Sequence, residues 1–375
     1  MRKAEITRSA HIDGSVHRVV SAQELQNEWT PELRLAVHIG QESDVEAVSR
    51  LRCGGLSNLG WIESNTLQPG DVFVMRRDGT EATVLFRESD RHHALFLTNR
   101  CNSRCLMCSQ PPTSQDDSWL VQEALETIRH MRRLPSVLGI TGGEPTLLGM
   151  GLRHVIDAIL RREPSTRIEV LTNGRLLGDK ALADSLLRGL PPLVSWLVPL
   201  YGHVNFLHDF VVQSPGAFDE TLNGLLTLRS YEQPIQLRVV LIESVLKVLP
   251  ELCAFVGRNL PFVREVSMMA VEPIGFALAN TQECHVDLGD WSASLENAAR
   301  VLSRHGVRQI LMNVPLCALP ETLWPAAQRS ISDWKNIYPE ECRQCRVREL
   351  CCGTFAWSER TWRPTAIKAI EKAAT

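Results

Sequence analysis

Two hydrophobic periods alternate along most of this chain. From about residue 93, "HALFLT" (93–98) reads as a strand and "SWLVQEALETIRHMRRL" (118–134) has helical spacing after a polar start. "VLGIT" (137–141) is the next strand, followed by helical "GLRHVIDAILRR" and by "RIEVLTNG", a strand ended by glycine. The alternation continues through helical "KALADSLLRGL", extended "VSWLVPLYG", helical "AFDETLNGLLTLRS", extended "IQLRVVLI", helical "VLKVLPELCAFVGRN" and extended "REVSMMAV". "WSASLENAARVLSRHG" is a further helix and "RQILMNV" a further strand candidate. Repeated strand–helix units predict an α/β protein with a parallel sheet and crossover helices. Six such units fit a partial (β/α)6 TIM-like barrel over residues 91–312; periodicity leaves an open doubly wound sheet as the alternative, and the motifs decide between them.

The flanks read differently. "DVFVMRRDGTEATVLFRE" (71–88) is two alternating runs around Asp78-Gly79, a hairpin signal, and "LRLAVHI" (33–39) is a partner strand. Residues 1–90 are thus expected to form a small β-rich N-terminal domain, either covering one end of the barrel or offering an edge to a peptide by strand addition. Beyond about residue 312 the alternation stops, and an irregular extension (313–375) carries prolines, tryptophans and five cysteines.

Composition narrows the function. The 375 residues are 44% apolar, enough for a large core, and the net charge of −3 supplies no general field for nucleic acid or anionic lipid. The N-terminus has no apolar signal region and no window approaches a membrane span, so a cytoplasmic protein is expected. There thiols stay reduced, and eleven cysteines argue for metal binding or catalysis rather than a disulfide framework.

Three of these cysteines, Cys101, Cys105 and Cys108, sit in "CNSRCLMC" directly after the first barrel strand. One reading is a zinc site completed by His92 or His93. The other is an iron–sulfur cluster with three thiolate ligands and one iron left open to a small molecule. "TGGEP" (Thr141 to Pro145) follows the second strand, where a Gly-Gly pair lets backbone approach a ligand and Glu144 adds an acceptor for an ammonium group.

With both motifs at adjacent strand ends, residues 93–280 resemble the radical S-adenosylmethionine (SAM) superfamily. The resemblance implies a [4Fe-4S] cluster on Cys101, Cys105 and Cys108, whose open iron chelates the amino and carboxylate groups of SAM, with Gly142, Gly143, Glu144 and Pro145 along its methionine. It also implies reductive cleavage to a 5'-deoxyadenosyl radical. Met107 stands where the family often has an aromatic residue near the adenine, and its thioether still suits a ring. Thr172 and Asn173 at the third strand end, and Arg238 in the fifth strand, are further cofactor-binding candidates; Arg238 suits the SAM carboxylate as a bidentate donor. "VEPIG" (271–275) is a candidate for the adenine, and Tyr201, His203 and His208 follow the fourth strand at the expected barrel mouth.

Cys317, Cys342, Cys345 and Cys351 supply four more thiols, and spacing alone leaves zinc and iron–sulfur open. Next to a radical SAM segment, C-x2-C-x5-C resembles the SPASM and twitch extensions, which implies a second, auxiliary [4Fe-4S] cluster. Cys352 competes with Cys351 for the ligand position, and the spacing favours Cys351; Cys53, Cys253 and Cys284 read as isolated thiols. The cysteine loop and the extension together are similar to the radical SAM maturases of the His-Xaa-Ser repeat peptide system, in particular their C-type partner. That similarity implies a ribosomally made peptide with His-Xaa-Ser repeats as substrate, a companion radical SAM protein and a reductant of the flavodoxin or ferredoxin type. A radical SAM enzyme for a small molecule, and a non-catalytic metal-binding accessory protein, are the alternatives.

Overall fold

Alternate residues of the N-terminal strands are buried on opposite faces, so this sheet has two cores. In the computed structural model, which describes residues 2–76, 79–358 and 362–371, seven strands build it: β1 (Arg2–Glu5), β2 (Arg8–Ala10), β3 (Val16–Ser21), β4 (Leu35–His38), β5 (Leu59–Glu63), β6 (Val72–Met75) and β7 (Glu81–Phe86). Their order is β1-β7-β6-β3-β4-β5-β2. Val19, Ala36, Ile62 and Phe73 pack on one face. Val20, Leu35, Val37, Leu59 and Trp61 pack on the other, as a side-chain period of two requires.

The sheet is mixed rather than a plain meander. β6 and β7 pair antiparallel, as the hairpin signal predicts, with Gly79 at φ +70°; Asp78 of that signal lies outside the described residues. β4 pairs parallel with both β3 and β5. A parallel neighbour demands a crossover, and helix Glu42–Cys53 supplies it between β4 and β5.

The second sheet has eight strands: β8 (Ala94–Phe96), β9 (Val137–Thr141), β10 (Arg167–Leu171), β11 (Val194–Pro199), β12 (Ile235–Val240), β13 (Glu265–Met269), β14 (Arg308–Met312) and β15 (Ala327–Gln328). They lie in sequence order across the sheet, and pairing from β10 to β15 is parallel throughout. This is the parallel sheet of a partial TIM-type barrel, with β8 and β15 as its two edges. Helices Lys180–Leu187, Ala217–Ser230 and Ser292–Arg304 fall where the helical spacing put them. The stretch read as one helix at 245–259 is two, Glu243–Leu246 and Leu249–Asn259, with Pro250 in the first turn of the second, where its missing N–H costs nothing.

By contact density the chain forms two units, one of Met1–Leu97, Ser118–Leu138 and His154–Thr166, the other of Thr98–Asp117, Gly139–Arg153 and Arg167–Thr375. The second contains every cysteine of both clustered groups. Its last part is irregular, built from 3-10 turns and a two-stranded ribbon of β16 (Asn336–Ile337) and β17 (Thr354–Phe355).

Candidate active site

The cysteine loop is held by main-chain contacts to the "TGGEP" turn. Gly143 N–H donates to Thr98 O at 2.6 Å and Glu144 N–H to Arg100 O at 2.8 Å. A Cβ on Gly142 would stand 2.6 Å from Thr98 O, and one on Gly143 would stand 2.2 Å from Arg100 O, closer than any side-chain carbon can come. The glycine pair therefore lets two strand ends close on each other. Asp117, 3% exposed, fixes the other side of the loop: it accepts from Thr98 Oγ1 (3.0 Å) and from the Asn99 main chain, and it pairs with Arg100 at 3.5 Å.

Other strand ends reach the same loop. Arg104 N–H and Leu106 N–H donate to the carbonyls of Val212 and Val211 (3.0 and 2.9 Å), and Phe276 N–H donates to Cys108 O (2.9 Å). Gly275, the last residue of "VEPIG", has φ +62° and a Cβ there would meet Cys108 O at 2.4 Å. "VEPIG" thus docks on the third cysteine, while Glu272 pairs with Lys335 at 3.0 Å.

Cys101, Cys105 and Cys108 are free, partly exposed thiols on this loop. Burial pushes Cys101 up to about 11 and Cys105 up to about 12, and the thiols raise each other further. A thiol in this setting gives up its proton to a cationic ligand rather than to water. Met107 is buried beside them, 7% exposed.

Glu144 is wholly buried and its carboxylate is engaged by the chain itself. Oε1 accepts from Thr146 N–H (2.9 Å), Thr146 Oγ1 (2.6 Å) and Thr172 Oγ1 (2.6 Å), and Oε2 accepts from Asn173 N–H (2.6 Å). One acceptor direction on Oε2 is left. Burial raises its pKa above the ordinary value, against these hydrogen bonds. Glu144 thereby ties the second strand end to Thr172 and Asn173 of the third. Pro145 is buried at the start of the 3-10 turn that follows, and Asn173 Nδ2 donates to Asn102 Oδ1 (2.6 Å), inside the cysteine loop.

Arg238 is the unusual charge. Its pairing register sets it between Pro199 of β11 and Ser267 of β13. Its guanidinium donates to the sulfur of Met269 (2.9 Å) and lies 3.6 Å from that of Met312, both weak acceptors, and burial lowers its pKa. Tyr201 is close enough to act on it and on Cys105 and Cys108. His208, by contrast, is core: 1% exposed, it accepts from Tyr201 N–H (3.2 Å), and burial lowers its pKa to about 4. His203 has a buried Nδ1 without a partner.

In the extension, Cys317, Cys342, Cys345 and Cys351 line one small cavity. Cys351 Sγ accepts from Leu316 N–H and Gly353 N–H, both at 3.4 Å. Cys352 packs with Ile331 and Phe355, and its thiol is hydrogen-bonded to that of Cys351. Among the described residues no group of three or more His, Cys, Asp or Glu side chains is close enough, as placed, to hold a metal ion. Two residues that carry much of the geometry, Asp117 and Arg175, have no sequence signal, because their partners are main-chain or small polar groups far along the chain.

The fold and this site define an α/β partial barrel with a three-cysteine loop and a glycine pair at neighbouring strand ends. Residues 95–246 match the model of the Radical SAM superfamily. The residues present fit the group that family uses: three thiols free of disulfides on one loop, a main-chain cradle without Cβ atoms, and a buried arginine whose guanidinium donates to methionine sulfurs. A probable GTP 3',8-cyclase of Methanocella arvoryzae is 30% identical over 158 residues, 40% of this chain and 48% of that protein. Among solved structures, SuiB of Streptococcus suis is similar at 13% identity and a TM-score of 0.45, covering 61% of this chain and 49% of that one. A radical SAM methyltransferase from Sphaerobacter thermophilus gives 18% identity and a TM-score of 0.43, covering 64% and 72%. The chain thus spans about half the length of the curated relative and of SuiB. Among the described residues no helix is long and apolar enough to cross a membrane.

Proposed function

We propose that this chain is a cytoplasmic radical SAM maturase acting on a ribosomally made peptide of the His-Xaa-Ser repeat type, beside a companion radical SAM protein and with a flavodoxin- or ferredoxin-type reductant. Cys101, Cys105 and Cys108 would hold a [4Fe-4S] cluster, and Cys317, Cys342, Cys345 and Cys351 an auxiliary one. Such a cluster would supply the single electron for reductive cleavage of SAM to methionine and a 5'-deoxyadenosyl radical, the species that would take a hydrogen atom from substrate. The chain's own residues position these parts. The observation that carries the reading is the stitch between the cysteine loop and Gly143–Glu144, which puts unhindered backbone beside three thiols. Met107, Thr172 and Asn173 would complete the cradle, and the Arg238 guanidinium, which donates to methionine sulfurs, would be the cationic partner of the SAM carboxylate.

Anaerobic reconstitution with SAM and a strong reductant is expected to release 5'-deoxyadenosine, and Cys105→Ala to abolish it; undiminished release from that variant sinks the enzyme reading. Mass spectrometry of a co-expressed neighbouring peptide tests the substrate. A small-molecule substrate is the second reading, favoured by the similarity to the probable cyclase, and an unmodified peptide would support it.

A further inference from the structure

Ile367, Lys368 and Ile370 form one wall of the cavity lined by Cys317, Cys342, Cys345 and Cys351. This tail is anchored along its length. Trp362 packs on the His285 ring at 4.9 Å. Thr365 N–H and Oγ1 both donate to Asp287 Oδ2 at 2.7 Å, and Arg346 N–H donates to Ile370 O at 3.1 Å. The Ile370 side chain packs on Leu316, Val347 and Cys351.

The tail's main chain also addresses the thiols. Ile370 N–H donates to Cys345 Sγ at 3.5 Å, and the Lys368 backbone bonds to Cys317. These donors are two residues apart, the spacing at which an extended chain turns its N–H groups to one side. With Leu316 and Gly353 on Cys351, three of the four thiols receive main-chain donors. A neutral thiol is a weak acceptor, so a ring of N–H groups suits sulfur that carries negative charge.

We propose that residues 362–370 form a strap that seals the C-terminal cluster and sets its reduction potential through N–H···S bonds from Lys368 and Ile370. The inference rests on the reading that these four cysteines hold an iron–sulfur cluster. Hydrogen bonds to the sulfurs and exclusion of water are two of the levers that tune such a cluster. The bonds favour the reduced, more negative state, so their loss lowers the potential.

The test uses full-length chain with Cys101, Cys105 and Cys108 changed to Ala, reconstituted anaerobically, so that one cluster remains. Iron and sulfide are counted, the midpoint potential is titrated by electron paramagnetic resonance, and bleaching by an iron chelator is timed. Ile370→Pro deletes the N–H and is expected to lower the potential and to speed bleaching several-fold; Ile370→Val keeps the N–H and should change neither. Lys368→Pro should act in the same direction. A loaded Ile370→Pro protein with the potential of Ile370→Val overturns the strap. Absence of iron at these cysteines overturns the cluster reading, and the inference with it. Should Ile370→Pro not fold, Asp287→Ala, which frees the anchor at Thr365, is expected to speed bleaching, and unchanged bleaching there overturns the seal.

Discussion

Arg175 donates from Nη1 to Ser103 Oγ at 3.0 Å, so a turn after the third barrel strand grips the loop between the first two cysteines. The same nitrogen bonds the Asn102 carbonyl, and Nε is held by Glu220 at 2.6 Å. A lysine supplies the charge without the planar fork. Arg175→Lys is therefore expected to weaken cluster loading at Cys101, Cys105 and Cys108 by roughly 10–100-fold, the usual cost of losing an outer-shell partner. Iron per chain after reconstitution, in a variant lacking the C-terminal cysteines, measures it.

Glu144→Gln keeps the shape but sets an amide NH2 or a single carbonyl where two oxygens accept four donors. At least one buried donor, on Asn173 or on Thr146 and Thr172, is then left facing another donor. The expected loss is about 1–3 kcal/mol, read as a lower urea midpoint of the apoprotein with an unchanged slope.

Arg238→Met separates stability from binding. Replacing a buried charge whose guanidinium donates to methionine sulfurs, with Glu169 as a charged neighbour, should leave apoprotein stability level or raise it. SAM affinity should fall by roughly 10–100-fold, the worth of a charged hydrogen bond. Calorimetry of unfolding and of SAM binding gives the two numbers; an apoprotein that unfolds more easily with unaltered SAM affinity would contradict both halves.

Thiol ionisation in the apoprotein should split by site. The neighbouring Cys352 thiol and the N–H groups of Gly353 and Leu316 hold Cys351 down to about 6, whereas burial holds Cys101 near 11 and Cys105 near 12. Cys351 contributes stability that is present above the unfolded thiol value and is lost as pH falls through about 6. Cys105 contributes stability present below the unfolded value and lost as pH rises towards 12. Site-resolved alkylation with iodoacetamide should label Cys351 at pH 7 and spare Cys101 and Cys105 until strongly alkaline pH. Cys352→Ala should move the onset at Cys351 upward.

Much of this was legible in the sequence where a residue type repeats or a spacing is fixed. The strand–helix alternation from 93 to 312 and the adjacency of "CNSRCLMC" to "TGGEP" both survive in the structure, because periodicity and strand-end glycines are local properties. Helix Glu42–Cys53 was not legible: Val48 is its only buried residue, and the signal is its cap, where Asp44 and Gln41 close a capping box. Helix Asn205–Val212 hides in an apolar stretch whose Phe206 and Phe210 are exposed, which blurs the amphipathic pattern. Arg175, Asp117 and the tail residues Lys368 and Ile370 act on or through main-chain atoms, and no spacing encodes partners that distant along the chain, 18 residues for Asp117 and 73 for Arg175.

Gly142, Gly143 and Gly275 meet carbonyl oxygens of Thr98, Arg100 and Cys108, so the cage that faces the thiols is located by missing atoms rather than by present ones. Side chains such as Asp117, Glu144 and Arg175 then hold in place what the glycines allow to close. A single methyl group at any of the three glycines would push the thiol loop and the strand ends apart.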